Sequence, residues 1–128
     1  VSAPGDRFEK GASTLSLAEL VDVYPTLCEL ADLPLPDHLE GRSLVPVLED
    51  AEAEVKQQAR SQYRRYRARF VGRAVRTDRY RYVEWIDEKT GGNAGRELYD
   101  HQDDPWESVN IAAHPDSIEI MELIRSGK

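Results

Sequence analysis

The 128-residue sequence has one cysteine, one methionine, two tryptophans, two phenylalanines and no long apolar run. Cys28 alone cannot close an internal disulfide, and its setting PTLCEL is apolar at helical spacing. That predicts a buried structural thiol rather than a nucleophile. No stretch approaches the ~18 apolar residues that would span a membrane. The three histidines, His38, His101 and His114, lie far apart beside Asp or Pro, so no metal-spaced cluster is visible. A G-x-S-x-G elbow, a phosphate-cradling glycine loop and a cysteine pair are all missing. Ser61, ahead of Gln62-Tyr63 on an expected strand, does not resemble an activated serine. DHQDDP is dense in acids but lacks the glycine and terminal glutamate of an EF-hand, so an Asp-capped turn is expected there. With Val1 at the start, no basic-then-apolar leader and Met121 its only methionine, the sequence reads as an excised or processed piece.

Charge is present in quantity and unevenly placed. The net charge is −7, yet residues 60–85 carry nine arginines against two acids, leaving the other 102 residues at −14. A basic stripe in an acidic body calls for an anionic ligand or for pairing with the acids around it. For Arg76, a partner in Asp100 or Asp104 is expected. Nucleic acid is not an expected partner, because a sequence pI near 5.0 is opposite to the basic domain such binding needs.

The length fits about one domain with a modest core. VSAPGDRFEKG reads as a strand end followed by a loop. Ser16 and Glu19 have capping-box spacing, and Asp22 is placed to cap a helix over residues 23–32 with Pro25 in its first turn and Val23, Leu27, Leu30 and Ala31 on one face. Pro34 and Pro36 end that helix. Gly41 supplies a turn, and Ser43 is placed to cap a short helix over 44–50. From Arg60 the period changes to two. ARSQYRRY, RFVGRAVRT, YRYVEWI and RELYD read as strands, TDR as a turn and DEKTGGNAG as a flexible hairpin loop. A terminal amphipathic helix follows in HPDSIEIMELIRS, with Ile118, Met121 and Ile124 or Leu123 facing inward. The expected class is α+β, a small antiparallel sheet with flanking helices.

Taken in order, VSAPG, LVDVYPTLCELADLPLP, LEGRSLVPVLED, ARSQYRR, GRAVRTDRYRYVEW and RELYDHQDDPWESVN resemble the C-terminal third of a type I sulfatase, most similar to the iduronate-2-sulfatase-like branch. The resemblance spans Val1 to about Pro115. Its specific elements are L-V-D-x-x-P-T-L, G-x-S-L, R-T-D-R-Y-R-Y and E-L-Y-D-x-x-x-D-P-x-E. One departure is Asp32, where the family usually has glycine after the helix, and it bears on the cap geometry.

The resemblance implies a parent hydrolase of the alkaline-phosphatase-like superfamily. That parent would cleave sulfate esters with a formylglycine made within C/S-x-P-x-R and with a calcium ion held by Asp and Asn residues, and periplasmic or secreted placement is usual. It implies that residues 1–50 end the main catalytic α/β domain and that 51–128 form the C-terminal subdomain, whose partner is the N-terminal catalytic domain. Cys28, followed by Glu-Leu-Ala, does not map onto the nucleophile motif, so no catalytic or metal residue is assigned in this chain, and calcium and formylglycine are expected only in the parent. Sulfate transfer needs an activated nucleophile and a cation to spread developing charge, and these residues supply neither. The subdomain is expected to lend stability and part of the substrate-cleft rim. Tyr63, Arg65 and Trp85 are the candidate substrate-binding residues, because a guanidinium forks onto carboxylate or sulfate and an aromatic face suits a sugar ring. Leu15, Leu17, Leu20, Leu27 and Leu30 should form an apolar patch that promotes self-association of the chain alone. The alternatives are a free-standing binding module, or part of a phosphonate or phosphate monoester hydrolase of the same superfamily.

Overall fold

A computed structural model describes Phe8, residues 11–67 and residues 69–127. The expected strand end in VSAPGDRFEKG falls almost wholly outside them. Two compact units divide between Gln57 and Gln58.

In the first unit a 3-10 turn at Leu20–Asp22 leads directly into helix α1, Val23–Leu30, and a second short helix α2 spans Val45–Glu49. The expected Ser16–Glu19 capping box does not form: the Ser16 hydroxyl is buried with no partner among the described residues. Asp22 instead reaches back to accept from the Glu19 N–H at 2.7 Å. α1 stops earlier than 32 because Ala31 caps it and Asp32 turns left-handed at φ 52°. Leu33 N–H then donates to the Cys28 carbonyl at 2.9 Å and Asp32 N–H to the Glu29 carbonyl at 3.2 Å, the paired bonds of a Schellman ending. Asp32 thus occupies a backbone position that glycine adopts without strain. The expected inward face of α1 is corrected: Val23 and Leu27 are exposed, and Pro25, Thr26 and Cys28 are buried. Leu44, not Ser43, occupies the N-cap of α2, and the Ser43 hydroxyl accepts from Val45 N–H at 3.2 Å.

The family-like motifs of this unit hold backbone to backbone. Thr26 Oγ1 donates to the Asp22 carbonyl at 2.6 Å and accepts from Leu44 N–H at 2.8 Å, tying α1 to the start of α2. Gly41 approaches so closely that a Cβ there would lie 2.0 Å from the Val21 carbonyl oxygen, so no side chain fits. Arg42 N–H and Lys56 Nζ both donate to Asp22 Oδ1, at 2.9 and 2.7 Å, and Lys56 also pairs with Glu19. Asp22 is fully buried. Burial raises its carboxyl, but the Lys56 ammonium and the two backbone N–H groups outweigh that and hold it below the usual carboxylate range. Lys56 is held above the usual ammonium value, its own burial being outweighed by Asp22 and Glu19.

The second unit is a four-stranded antiparallel meander of β1 (Ala59–Arg65), β2 (Phe70–Arg76), β3 (Tyr80–Asp87) and β4 (Gly92–Asp100), closed by helix α3 (Ser117–Ser126). This is the α+β sheet-and-helix architecture that the alternation predicts. β4 starts earlier than RELYD, because Gly92–Gly95 pair with Trp85–Asp87 around a bulge instead of looping free. The turn narrows to Asp87–Gly91, where Thr90 and Gly91 N–H both donate to the Asp87 carbonyl.

Val75, Tyr82 and Leu98 form one cross-strand row, and with Met121 and Ile124 of α3 they make the core. Ser117, Met121 and Ile124 share the buried face of α3, with Ile120 packed partly against the core, whereas Ile118 and Leu123 are exposed. The helix phase is set by Ser117, whose hydroxyl donates to the Ile111 carbonyl at 2.8 Å. Asn110, ending the WESVN motif, accepts from Leu98 N–H at 3.0 Å and donates to the Arg96 carbonyl at 3.1 Å, so its amide covers the free edge of β4.

Candidate functional site

Alternation along the strands places Tyr63 and Arg65 of β1, Gly72 of β2 and Trp85 of β3 on one sheet face, opposite to the face that carries the core row. Tyr63, Gly72, Trp85 and Gly95 are direct partners in a single row across all four strands. The three candidate residues therefore meet. The Arg65 guanidinium carbon lies 4.5 Å from the Trp85 ring centroid and 5.8 Å from that of Tyr63. Tyr63 is 65% exposed and Trp85 is half-buried.

Two further residues fix the indole. A Cβ at Gly72 would stand 2.8 Å from two atoms of the Trp85 ring, so the ring lies in the space where any other residue would carry its side chain. Trp85 Nε1–H donates to Glu97 Oε1 at 2.8 Å, and the Tyr99 hydroxyl donates to Glu97 Oε2 at 3.2 Å. Burial, followed by the Glu97 charge, raises the Tyr99 phenol above its ordinary value. Sequence reasoning missed Gly72 and Glu97. A glycine inside the otherwise well-patterned strand RFVGRAV was the available signal, since it marks close approach of another group.

Three of the nine arginines of the stripe pair with carboxylates among the described residues. Arg79 makes a two-pronged bond to Asp100 at 2.6–3.1 Å, Arg69 meets Asp87 at 3.2 Å, and Arg81 meets Glu107. Arg69, Arg79 and Arg81 also stack on Phe70, Tyr80 and Tyr99. His101 Nε2 lies 2.6 Å from Glu107 Oε1, so one carboxylate meets both the Arg81 guanidinium and an imidazole. Burial raises the Glu107 carboxyl, but Arg81 and His101 together hold it below its ordinary range. Arg76 does not pair as expected. It shares its row with Arg81 and Tyr99, while Asp100 pairs with Tyr80 and so sits on the other face, where Arg79 takes it. Asp104 accepts from Val109 N–H at 2.8 Å, the expected Asp-capped turn, and Arg76 Nη1 is buried without a partner among the described residues. Arg65 differs from these three paired arginines: among the described residues its side chain meets the two rings and no carboxylate.

Among the described residues, no group of three His, Cys, Asp or Glu side chains could hold a metal ion, and no helix is long and apolar enough to cross a membrane. Cys28 is buried in α1 and Ser61 is exposed on β1.

The family described as N-sulphoglucosamine sulphohydrolase, C-terminal, matches residues 1–127. Arylsulfatase K of Gallus gallus is 31% identical over 132 residues, covering 97% of this chain and 24% of that protein. Delta 4,5-hexuronate-2-O-sulfatase of Bacteroides thetaiotaomicron is 36% identical over 100 residues, covering 74% of this chain and 19% of that protein. Among solved structures, a 2-O GAG sulfatase superposes with a TM-score of 0.66 at 33% identity, over 82% of this chain and 22% of its own. The phosphonate monoester hydrolase of Agrobacterium radiobacter superposes at 0.61 with 29% identity, over 82% and 23%. The chain thus spans about a quarter or less of the length of the curated relatives it matches.

Proposed function

Because the chain belongs to the family of the N-sulphoglucosamine sulphohydrolase C-terminal domain, we propose that it is the non-catalytic C-terminal part of a sulfatase acting on a sulfated sugar, with Tyr63, Arg65 and Trp85 on the rim of the substrate cleft. The observation that carries the rim reading is Arg65 itself, an arginine seated on two aromatic rings with no carboxylate partner among the described residues. A guanidinium of this kind keeps its in-plane N–H donors for sulfate or carboxylate oxygens. The sugar is supported by the name of the Bacteroides thetaiotaomicron relative, a hexuronate sulfatase.

On this reading residues 1–50 end the main catalytic α/β domain and residues 51–128 form the C-terminal subdomain, with the N-terminal catalytic domain as partner. Leu15 and Leu20, more than 90% exposed, and Leu27 are the surface such a partner would cover, and uncovered they favour association of the chain with itself. The calcium ion and formylglycine of the family do not fit the residues present. No C/S-x-P-x-R motif occurs in the chain and no metal-holding group occurs among the described residues, so the parent's chemistry belongs to the rest of the protein.

The test is turnover by the whole protein of an aryl sulfate, a sulfated disaccharide and an aryl phosphonate monoester, with the 128-residue chain as control. Sulfate release by the whole protein and none by the chain is expected. Cleavage of the phosphonate with no sulfate release would establish the other hydrolase of this fold instead, a reading favoured by the Agrobacterium radiobacter superposition.

A further inference from the structure

We infer that Gly72, Trp85 and Glu97 are positioning residues for Arg65, so that the guanidinium, and not the indole, is the group presented to an anionic ligand. The inference rests on the rim reading above and reassigns the parts within it. A half-buried tryptophan on a sheet face would ordinarily be read as a platform for a sugar ring. Here the platform is already taken. The ring fills the space above Gly72, its N–H is spent on Glu97, and the Arg65 guanidinium carbon stands 4.5 Å from its centroid.

Stacking on a ring engages the flat face of a guanidinium and leaves its N–H edges free to fork onto two oxygens. The same contact restrains a long side chain that would otherwise lose rotamer freedom on binding. Gly72 is the floor of this arrangement: a methyl group there would stand 2.8 Å from two ring atoms, and the ring cannot swing aside while Nε1 is held at 2.8 Å by Glu97. Glu97 is in turn held by the Tyr99 hydroxyl. Neighbouring Arg69, Arg79 and Arg81 also stack on rings, but each spends its donors on a carboxylate, and Arg65 has none among the described residues. Arg65 alone among these stacked arginines combines a fixed guanidinium with unspent donors.

A double-mutant cycle in the whole protein, read by KM and kcat on a sulfated disaccharide, separates positioning from contact. Arg65→Ala should raise KM by about ten- to a hundredfold, the worth of one charge-assisted contact, with kcat within about twofold. Gly72→Ala and Trp85→Ala should each raise KM by about three- to thirtyfold, the worth of the lost stacking, and Trp85→Phe should recover most of it by restoring a ring. In the Arg65→Ala background the Gly72 and Trp85 substitutions should add nothing. Tm of each variant is measured alongside, and Trp85→Phe carries the comparison if Gly72→Ala fails to fold. Additive KM effects, or a Trp85 effect without an Arg65 effect, would make the indole a ligand contact and overturn the inference while leaving the rim in place. No KM change in any variant would remove the rim reading itself.

Discussion

The two units of this chain are held together in opposite ways. The unit after Gln57 has paired strands throughout and an apolar core in which Leu98 is fully buried. The unit before Gln58 centres its own contacts on a buried carboxylate, Asp22, that gathers two backbone N–H groups and the Lys56 ammonium, while Leu15, Leu20 and Leu27 stay exposed. A segment that sets buried Val45 and Pro25 beside a charged carboxylate, with several large leucines facing outward, is on the proposed reading completed by other surface. A sheet with its own core is built to stand and to present a face. The family-like motifs divide the same way: L-V-D-x-x-P-T-L and G-x-S-L join backbone in the first unit, and the strand motifs of the second order an aromatic and guanidinium surface.

The sharpest way to break this contrast is at Lys56. Lys56→Met leaves Asp22 buried without its cation and should cost roughly 3 to 5 kcal/mol in urea unfolding, confined to the transition of the first unit. An equal loss in the sheet's transition would show that the units do not differ as described. Next comes a matched leucine pair. Leu98→Ala should cost about 2 to 5 kcal/mol through lost burial and the cavity left behind, and Leu27→Ala in the chain alone within about 0.5 kcal/mol. Comparable losses at both positions would mean that the leucines of α1 are covered within this chain.

Acid gives a smaller and graded effect. Asp22 and Glu107 are both held below the usual carboxylate range, so the stability they contribute is complete above that range and is lost as pH falls through their lowered values. Lys56 is shifted the other way, and its contribution is complete below 10.5 and lost only as pH rises beyond it. Tm of the chain should therefore decline below about pH 4, with Asp22→Asn flattening the decline in the first unit. A decline unchanged by Asp22→Asn would place the acid-sensitive group elsewhere. The smallest effect is expected at Arg79. Its two-pronged bond to Asp100 is solvent-exposed and screened, so Arg79→Ala should leave Tm almost unmoved, and less so still in high salt.

How far the sequence foretold this follows from the range of each signal. Alternation is local, and it marked the four strands and put Tyr63, Arg65 and Trp85 on one face once the register was set. Glycine content misled at Gly92–Gly95, where ladder bonds and a bulge hold a stretch that reads as loop. The apolar periodicity of α1 announced a covered face without saying what covers it, so Val23 and Leu27 were placed inside and are not. Asp22 read as a helix cap because its decisive partner, Lys56, lies 34 residues away and nothing local announces it. Strand parity puts Asp100 on the face opposite to Arg76, and Arg79, from the turn before β3, takes that carboxylate. Gly72 and Glu97 matter only through a ring that reaches across from another strand, which composition and spacing do not reveal.

Amide hydrogen exchange on the 128-residue chain, compared with the same residues in the whole protein, tests the central contrast most directly. Amides of β2 and β3 should be protected alike in both, because the sheet carries its own core. Those of α1, Val23–Leu30, should exchange fast in the chain alone and become protected in the whole protein. Equal protection of α1 in the two would contradict the account, since the exposed leucines would then need no further surface to complete them.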